Sequence, residues 1–302
     1  MRNTSAACHL ITRIPAVSDV RHPAMLIKRK SIEAESNLRG GPKAAATRPV
    51  RRKPRFAPIT LSESDGIRYL HFGTEWVQGA MRVRKPDWLE LEYSQQMMAW
   101  MLFQEAPARI AQLGLGSAAI TKFCYRQFPE ASVQAVELNP EVISVARAMF
   151  KLPQDDERLE VMEMDAMDFV SDRKNHKKLD ILQVDLYDAT ARGPVLDSPE
   201  FYKACADCLK LRGIMTVNLF GGGHRSFLIN RVALDAAFEQ VIYLPEIHDG
   251  NVIAIAFKKA PRLNWKTLHE RAAAIRAATK LPAESWVSAL QEAISEEESN
   301  TP

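Results

Sequence analysis

Between Ile110 and Asp188 four glycine or acidic signals stand where apolar runs stop, and their types suit one another chemically. The run ARIAQLGL closes in Gly114-Leu115-Gly116-Ser117, and SVQAVEL ends in Glu137. LEVMEMD ends in Asp165, and LDILQVD ends in Asp185, with Asp188 a short step further on. Glycines there let the backbone approach a ligand closely and turn sharply into a helix. Glu137 lies 21 residues past Gly116, and a carboxylate at that place, being acceptor-only, suits a pair of ribose hydroxyls. Asp165 can accept from an adenine amino group, cap the helix of DAMDFVS, or do both. Asp185 and Asp188, two acids three residues apart, create a negative pocket facing a nucleoside bound there. After Gly116 come Ser117-Ala118-Ala119 rather than the third glycine of a dinucleotide fingerprint. A sulfonium nucleoside is therefore the more natural ligand than a pyrophosphate.

The elements that must hold these residues follow from periodicity. ITLSESDGIRYLHFG predicts two short strands around a Ser-Asp-Gly turn and WVQGAMRV a third, a small antiparallel β unit. LEYSQQMMAWMLF is apolar at helical spacing, with Met97, Met98 and Met101 as core positions. From Ala108 apolar strands alternate with helices, one opened by Pro140, and this predicts a mostly parallel sheet covered on both faces. VIYLPE and NVIAIAFKK flank His248-Asp249-Gly250-Asn251, an expected antiparallel hairpin. The fold class is therefore α/β, a Rossmann-like methyltransferase-type sheet with a C-terminal antiparallel hairpin. Four segments are expected: an arm over 1–55, the β unit over 56–90, a nucleoside-binding catalytic domain over 91–262 and a helical extension over 263–302, hinged near Pro282.

Composition narrows the class. The chain has 302 residues, 46% hydrophobic, enough for a sizeable core. No apolar run approaches the ~20 residues of a membrane span, and MRNTSAACHLITRIP lacks the uninterrupted h-region of a signal peptide. Four cysteines in a chain this long suggest no disulfide framework, so a cytoplasmic location is expected. Cys205 and Cys208 form a CxxC without a second pair and read as two thiols on a helix face. Residues 1–55 hold 13 Lys/Arg against 3 Asp/Glu, and the remainder carries a net −7. Such an arm, rich in Gly, Pro, Ala and Arg, reads as a solvated, disordered extension. Without interleaved aromatics it offers no stacking platform for nucleic acid. His71 reads as a hairpin residue, since no second His or Cys stands at metal-ligand spacing. Trp76 and Trp88 read as packing of the β unit, and His224 follows Gly221-Gly222-Gly223 in a loop.

From Ile59 to Lys259 the chain resembles the polyamine aminopropyltransferase family. The resemblance rests on the RYLHFG strand, the YSQQMM helix, the GLGS turn, VELNP, MDAMDF, VDLYD and Gly193-Pro194. It implies transfer of an aminopropyl group from decarboxylated S-adenosylmethionine to a di- or polyamine, with no metal and no permanently bound cofactor. On that resemblance Asp185 is the catalytic acid-base residue. Gly114, Gly116, Ser117, Glu137 and Asp165 hold the nucleoside donor, and Gln95, Tyr187 and Asp188 line the acceptor site. Three positions depart from the family pattern: Ser117 replaces an Asp, Ser94-Gln95 replaces Tyr-Gln, and Ala189 follows Asp188 where Pro is usual. An S-adenosylmethionine-dependent methyltransferase and a non-catalytic nucleoside- or polyamine-binding homologue are the alternatives. A small polyamine is the expected partner, with no membrane or nucleic acid, and a homodimer is compatible with the chain.

Overall fold

Asp65 and Gly66 both have positive φ, 52° and 74°, the pair of left-handed residues that a tight hairpin turn demands. They reverse the chain between β1 (Ile59–Ser64) and β2 (Ile67–Phe72). The third strand, β3 (Gly79–Arg82), pairs antiparallel with β2 and completes a small three-stranded sheet. A computed structural model describes residues 56–188, 193–220, 225–247 and 250–300. The basic arm, Ala189, His224 and the His248-Asp249 part of the expected turn lie outside the described residues.

Helix α1 (Glu92–Gln96) runs directly into a 3-10 segment, Met97–Leu102, whose six residues are all buried. Six consecutive apolar side chains leave no solvent face, so the segment lies inside the fold as a buried helix must. The sheet alternation then begins with β4 (Arg109–Leu113) and α2 (Ala119–Gln127), β5 (Ser132–Glu137) and α3 (Pro140–Met149), and β6 (Leu159–Glu163) and α4 (Ala166–Ser171). It continues through β7 (Leu179–Val184), α5 (Pro199–Cys208), β8 (Leu209–Phe220) and α6 (Arg225–Ala237) to β9 (Gln240–Tyr243) and β10 (Asn251–Phe257). Pro140 opens α3 behind Asn139, whose side chain accepts from the Glu141 N–H, a cap of about 1 kcal/mol.

The seven strands lie in the order β6-β5-β4-β7-β8-β10-β9. All neighbours from β6 to β8 are parallel, and β10 is antiparallel to both β8 and β9. The core divides by strand alternation. Ile181, Ile253 and Ile255 face one apolar cluster, while Leu182, Ala254 and Ala256 face another on the opposite side. Period-2 side-chain direction thus turns continuous apolar strands into two buried faces. The C-terminal helices α7 (Trp265–Thr279) and α8 (Ala283–Asn300) cover the first face through Ala272, Ile275, Trp286 and Leu290. Arg271 Nε donates to Met101 O at 2.9 Å and ties α7 to the 3-10 segment.

Strand order reverses between β4 and β7, and that reversal opens a crevice at their carboxyl ends. The chain crosses it at very close range. A Cβ on Gly114 (φ +88°) would lie 2.1 Å from the carbonyl oxygen of Asp185, so only glycine allows this approach. Lys122 of α2 is fully buried and donates to Pro86 O at 2.8 Å and Phe150 O at 2.7 Å, while burial pushes its amine down to about 8. Among the described residues no helix is long and apolar enough to cross a membrane.

Candidate active site

A cavity of about 1030 Å³ occupies the crevice, lined by the ends of β4 to β8 and by the β2–β3 connection. At the ends of β4 and β5 the glycine turn meets Glu137. Glu137 Oε2 accepts from the Leu115 N–H at 3.0 Å and Oε1 from the Asn139 N–H at 2.9 Å. Burial raises its pKa, and the backbone N–H groups around it oppose that rise. The N–H groups of Asn139, Leu115, Leu138 and Gly116 all turn toward this carboxylate, so its orientation at the cavity wall is fixed by the backbone. Asp165 follows β6 by two residues and caps α4, with Oδ1 accepting from the Met167 N–H at 2.8 Å. It also lines the cavity, so the capping role coexists with a place in the crevice.

A second group of residues centres on Asp185, the first residue after β7. Its Oδ1 accepts from Asn218 Nδ2 at 2.9 Å and its Oδ2 from the Tyr93 hydroxyl at 3.3 Å. Burial pushes this carboxyl up to about 6, against the opposing pull of those two hydrogen bonds. The Tyr93 phenol is raised well above its usual value by burial and by the charge of Asp185, which makes it a donor at neutral pH. Behind them Asn251 Nδ2 donates to Asn218 Oδ1 at 2.9 Å, and the Tyr187 hydroxyl donates to Asn218 O at 3.2 Å. Two tyrosines and two asparagines, all neutral, therefore surround one acid. Asp188 lines the cavity, and its carbonyl accepts from Gln78 Nε2 at 3.3 Å. Gly193 lets the following loop return over Tyr187, since a Cβ there would lie 2.8 Å from the ring.

Two of the expected site residues, Ser117 and Gln95, lie outside the lining of the large cavity. Ser117 is 3% exposed, and its hydroxyl donates to Ala80 O at 3.3 Å. It lines a water-sized pocket of about 10 Å³ beside Tyr93 and Asp185, and its side chain does not line the large cavity. The physical reason is local. Gly116 and Ala118 both have positive φ, which turns Ser117 toward β3, and Gly79 leaves the room for it: a Cβ on Gly79 would lie 2.6 Å from Ser117 Oγ. Gln95 likewise turns away, its Nε2 donating to Leu89 O at 2.7 Å, and it does not line the cavity. With about 100° per helical residue, Tyr93 and Gln95 point to different sides of α1, and Tyr93 is the one facing Asp185.

Trp76 also departs from expectation. Trp88 packs against the core as its sequence context suggests, whereas Trp76 is 56% exposed at the cavity mouth. Asn218, Asn251 and Tyr93 escaped the sequence reading, although polar side chains at the ends of the apolar runs GIMTVNLF and NVIAIAF were a usable signal. Cys205 and Cys208 are buried and unpaired on α5.

The cavity carries five carboxylates, Glu75, Glu137, Asp165, Asp185 and Asp188, and no Lys, Arg or His among its described lining. The family model for the spermine/spermidine synthase domain matches residues 117–220. The polyamine aminopropyltransferase of Chromobacterium violaceum is 34% identical over 230 residues, covering 74% of this chain and 87% of that one. The chain belongs to the polyamine aminopropyltransferase family. That membership places it among the transferases. In fold it is similar to a probable spermidine synthase from Corynebacterium glutamicum, with a TM-score of 0.63 at 19% identity over 78% of this chain and 91% of that one. Human methyltransferase-like protein 13, solved in complex with SAH, shares the fold at a TM-score of 0.56 and 22% identity, over 63% and 93% of the two chains.

Proposed function

We propose that this cavity moves an aminopropyl group from decarboxylated S-adenosylmethionine to a di- or polyamine. The observation that carries this reading is the charge of the cavity, five carboxylates and no described cation. A donor without a carboxylate and an acceptor that is a polycation both gain in such a field, whereas the carboxylate of S-adenosylmethionine meets like charges. Glu137 would hold the ribose, Asp165 the adenine amino group, and the bare backbone at Gly114 and Gly116 would let the nucleoside lie against the turn.

In the transfer the amine lone pair attacks the aminopropyl carbon next to sulfur as the C–S bond breaks. The bonding electrons pass to sulfur, leaving neutral methylthioadenosine, and the amine sheds one proton. With a Lys-like pKa near 10.4, freeing that lone pair at pH 7 costs about 4.6 kcal/mol. Asp185, held by Tyr93 and Asn218, would orient the amine and carry its proton outward, and Asp188 would hold a cationic nitrogen. Positioning of this kind works by fixing a near-attack geometry. The buried, unpaired Cys124, Cys205 and Cys208 support a reducing, cytoplasmic setting for the reaction.

The deciding experiment offers purified protein each donor with a panel of amines and detects products by mass. Methylthioadenosine with an elongated amine is the expected result. S-adenosylhomocysteine without methylthioadenosine would instead make the protein a methyltransferase.

A further inference from the structure

Asn218 meets Asp185 through an amide, and an amide offers a donor at one corner and an acceptor at the other. Its direction is fixed from behind, by a chain of hydrogen bonds that starts at a backbone carbonyl. The Tyr187 hydroxyl lies 3.2 Å from Asn218 O. A carbonyl only accepts, so the single phenolic hydrogen is committed there and the oxygen is left as an acceptor. Asn251 Nδ2 reaches that oxygen at 3.4 Å and Asn218 Oδ1 at 2.9 Å. The corner of Asn251 facing Tyr187 must therefore be the donor, and its second hydrogen goes to Asn218 Oδ1. With Oδ1 engaged, Nδ2 is the corner of Asn218 that Asp185 Oδ1 meets, at 2.9 Å.

The sheet holds this chain of bonds in register. Asn251 opens β10, and Asn218 pairs with Ile253 across the β8–β10 ladder, so the two asparagines are diagonal neighbours on one face. They are 2% and 7% exposed, and an amide turned the wrong way there would leave polar atoms without partners. A buried carboxyl escapes part of its cost by taking a proton, and a flipped Asn218 would then accept from it. The chain from Tyr187 opposes that flip and keeps a donor aimed at the charged form. The other titratable groups near the acid are few. Tyr93 of α1 donates to Oδ2, Tyr187 and Asp188 stand on the acid's own loop, and Glu75, Glu137 and Asp165 line the same cavity. The water-sized pocket beside it brings no further charge. Both tyrosines are raised well above their usual value by burial and by the charge of Asp185, so they stay neutral while the acid titrates.

We propose that Asn251 and Tyr187 are positioning residues that act through Asn218, locking its amide so that the donor faces Asp185 while the acid collects the amine's proton. This rests on the aminopropyl-transfer reading of the same cavity. The test is a double-mutant cycle read on the low-pH limb of kcat/KM. Asn251→Ala should move that limb upward by about half a pH unit or more. In an Asn218→Ala background the same substitution should move it by less than about 0.2 pH unit, because the amide it directs is gone. Tyr187→Phe keeps the ring and changes no charge. It should repeat both results, and it carries the test if Asn251→Ala does not fold. A shift that survives in full in the Asn218→Ala background, or a limb unmoved in both single variants, overturns the relay. An NMR titration of the Asp185 carboxyl carbon, assigned by its loss in Asp185→Asn, gives the same comparison without turnover. The expected shifts with no amine elongated keep the relay while the transfer reading falls, and their absence removes the relay whatever product the protein makes.

Discussion

The hydroxyl of Tyr93 stands 3.3 Å from Oδ2 of Asp185, joining a one-turn helix before the sheet to the acid at the strand-order reversal. The same acid is held from the other side by Asn218 of β8. The carboxylate is thereby fixed by two neutral donors from elements far apart in sequence, and its orientation belongs to the fold rather than to its own loop.

Asp185 sits near 6 because burial penalises its charge. The deprotonated form is the one that takes a proton, so kcat/KM should rise with pH through about 6 in the native enzyme. Asp185→Asn should remove turnover and this limb while methylthioadenosine still binds. A variant that keeps native turnover would take Asp185 out of the chemistry.

Removing the Asn218 amide should move the same limb upward. A hydrogen bond to the charged form lowers a carboxyl pKa, so Asn218→Ala should raise the apparent value by about one unit or more, given 1.5–3 kcal/mol for a bond to a charged group. A pH profile of kcat/KM reads this directly. A limb that stays in place would show that Asn218 does not tune the acid.

Glu137→Ala should weaken methylthioadenosine by about tenfold or more, from the loss of charge-assisted bonds of roughly 1.5–3 kcal/mol. It also strips the Leu115 and Asn139 N–H groups of their acceptor, so a lowered melting temperature should accompany the loss. Calorimetry with unchanged affinity would remove Glu137 from the nucleoside site.

Ser117→Asp should destabilise the protein rather than strengthen a donor site. The new carboxylate would be buried facing the Ala80 carbonyl and against Gly79, with a cost of about 1–3 kcal/mol or more for an unpaired buried acceptor. The checks are the melting temperature and the affinity for decarboxylated S-adenosylmethionine. Tighter binding at undiminished stability would show that this side chain reaches the donor after all.

Lys122 offers a pH test of stability. Its folded pKa of about 8 lies below the ordinary lysine value, so burial disfavours its charge. The penalty is fully present below about 8 and fades as pH rises toward about 10.4, where the unfolded chain also loses the proton. The native chain should therefore gain stability relative to Lys122→Met between those limits. Denaturant midpoints of the two proteins that run parallel from pH 7 to 10 would contradict this.

Much of this molecule is legible in the chain itself. Strand and helix periods, Asp65-Gly66, Pro140 and the acids after each apolar run are local signals, and a strand's end places its residue on one edge of the sheet whatever else happens. The α/β class, the order of elements and the gathering of Gly114, Glu137 and Asp165 along one edge of the sheet follow from such signals. What faces Asp185 does not. Tyr93, Asn218 and Asn251 are brought to it from α1, β8 and β10, and no spacing in the sequence encodes a meeting across 92 residues. The turning of Ser117 toward β3 depends on the positive φ of Gly116 and Ala118 on either side of it and on room left by Gly79 in a separate sheet. Only tertiary contact decides such directions, because a side chain's orientation in a tight turn is set by what the fold packs against it.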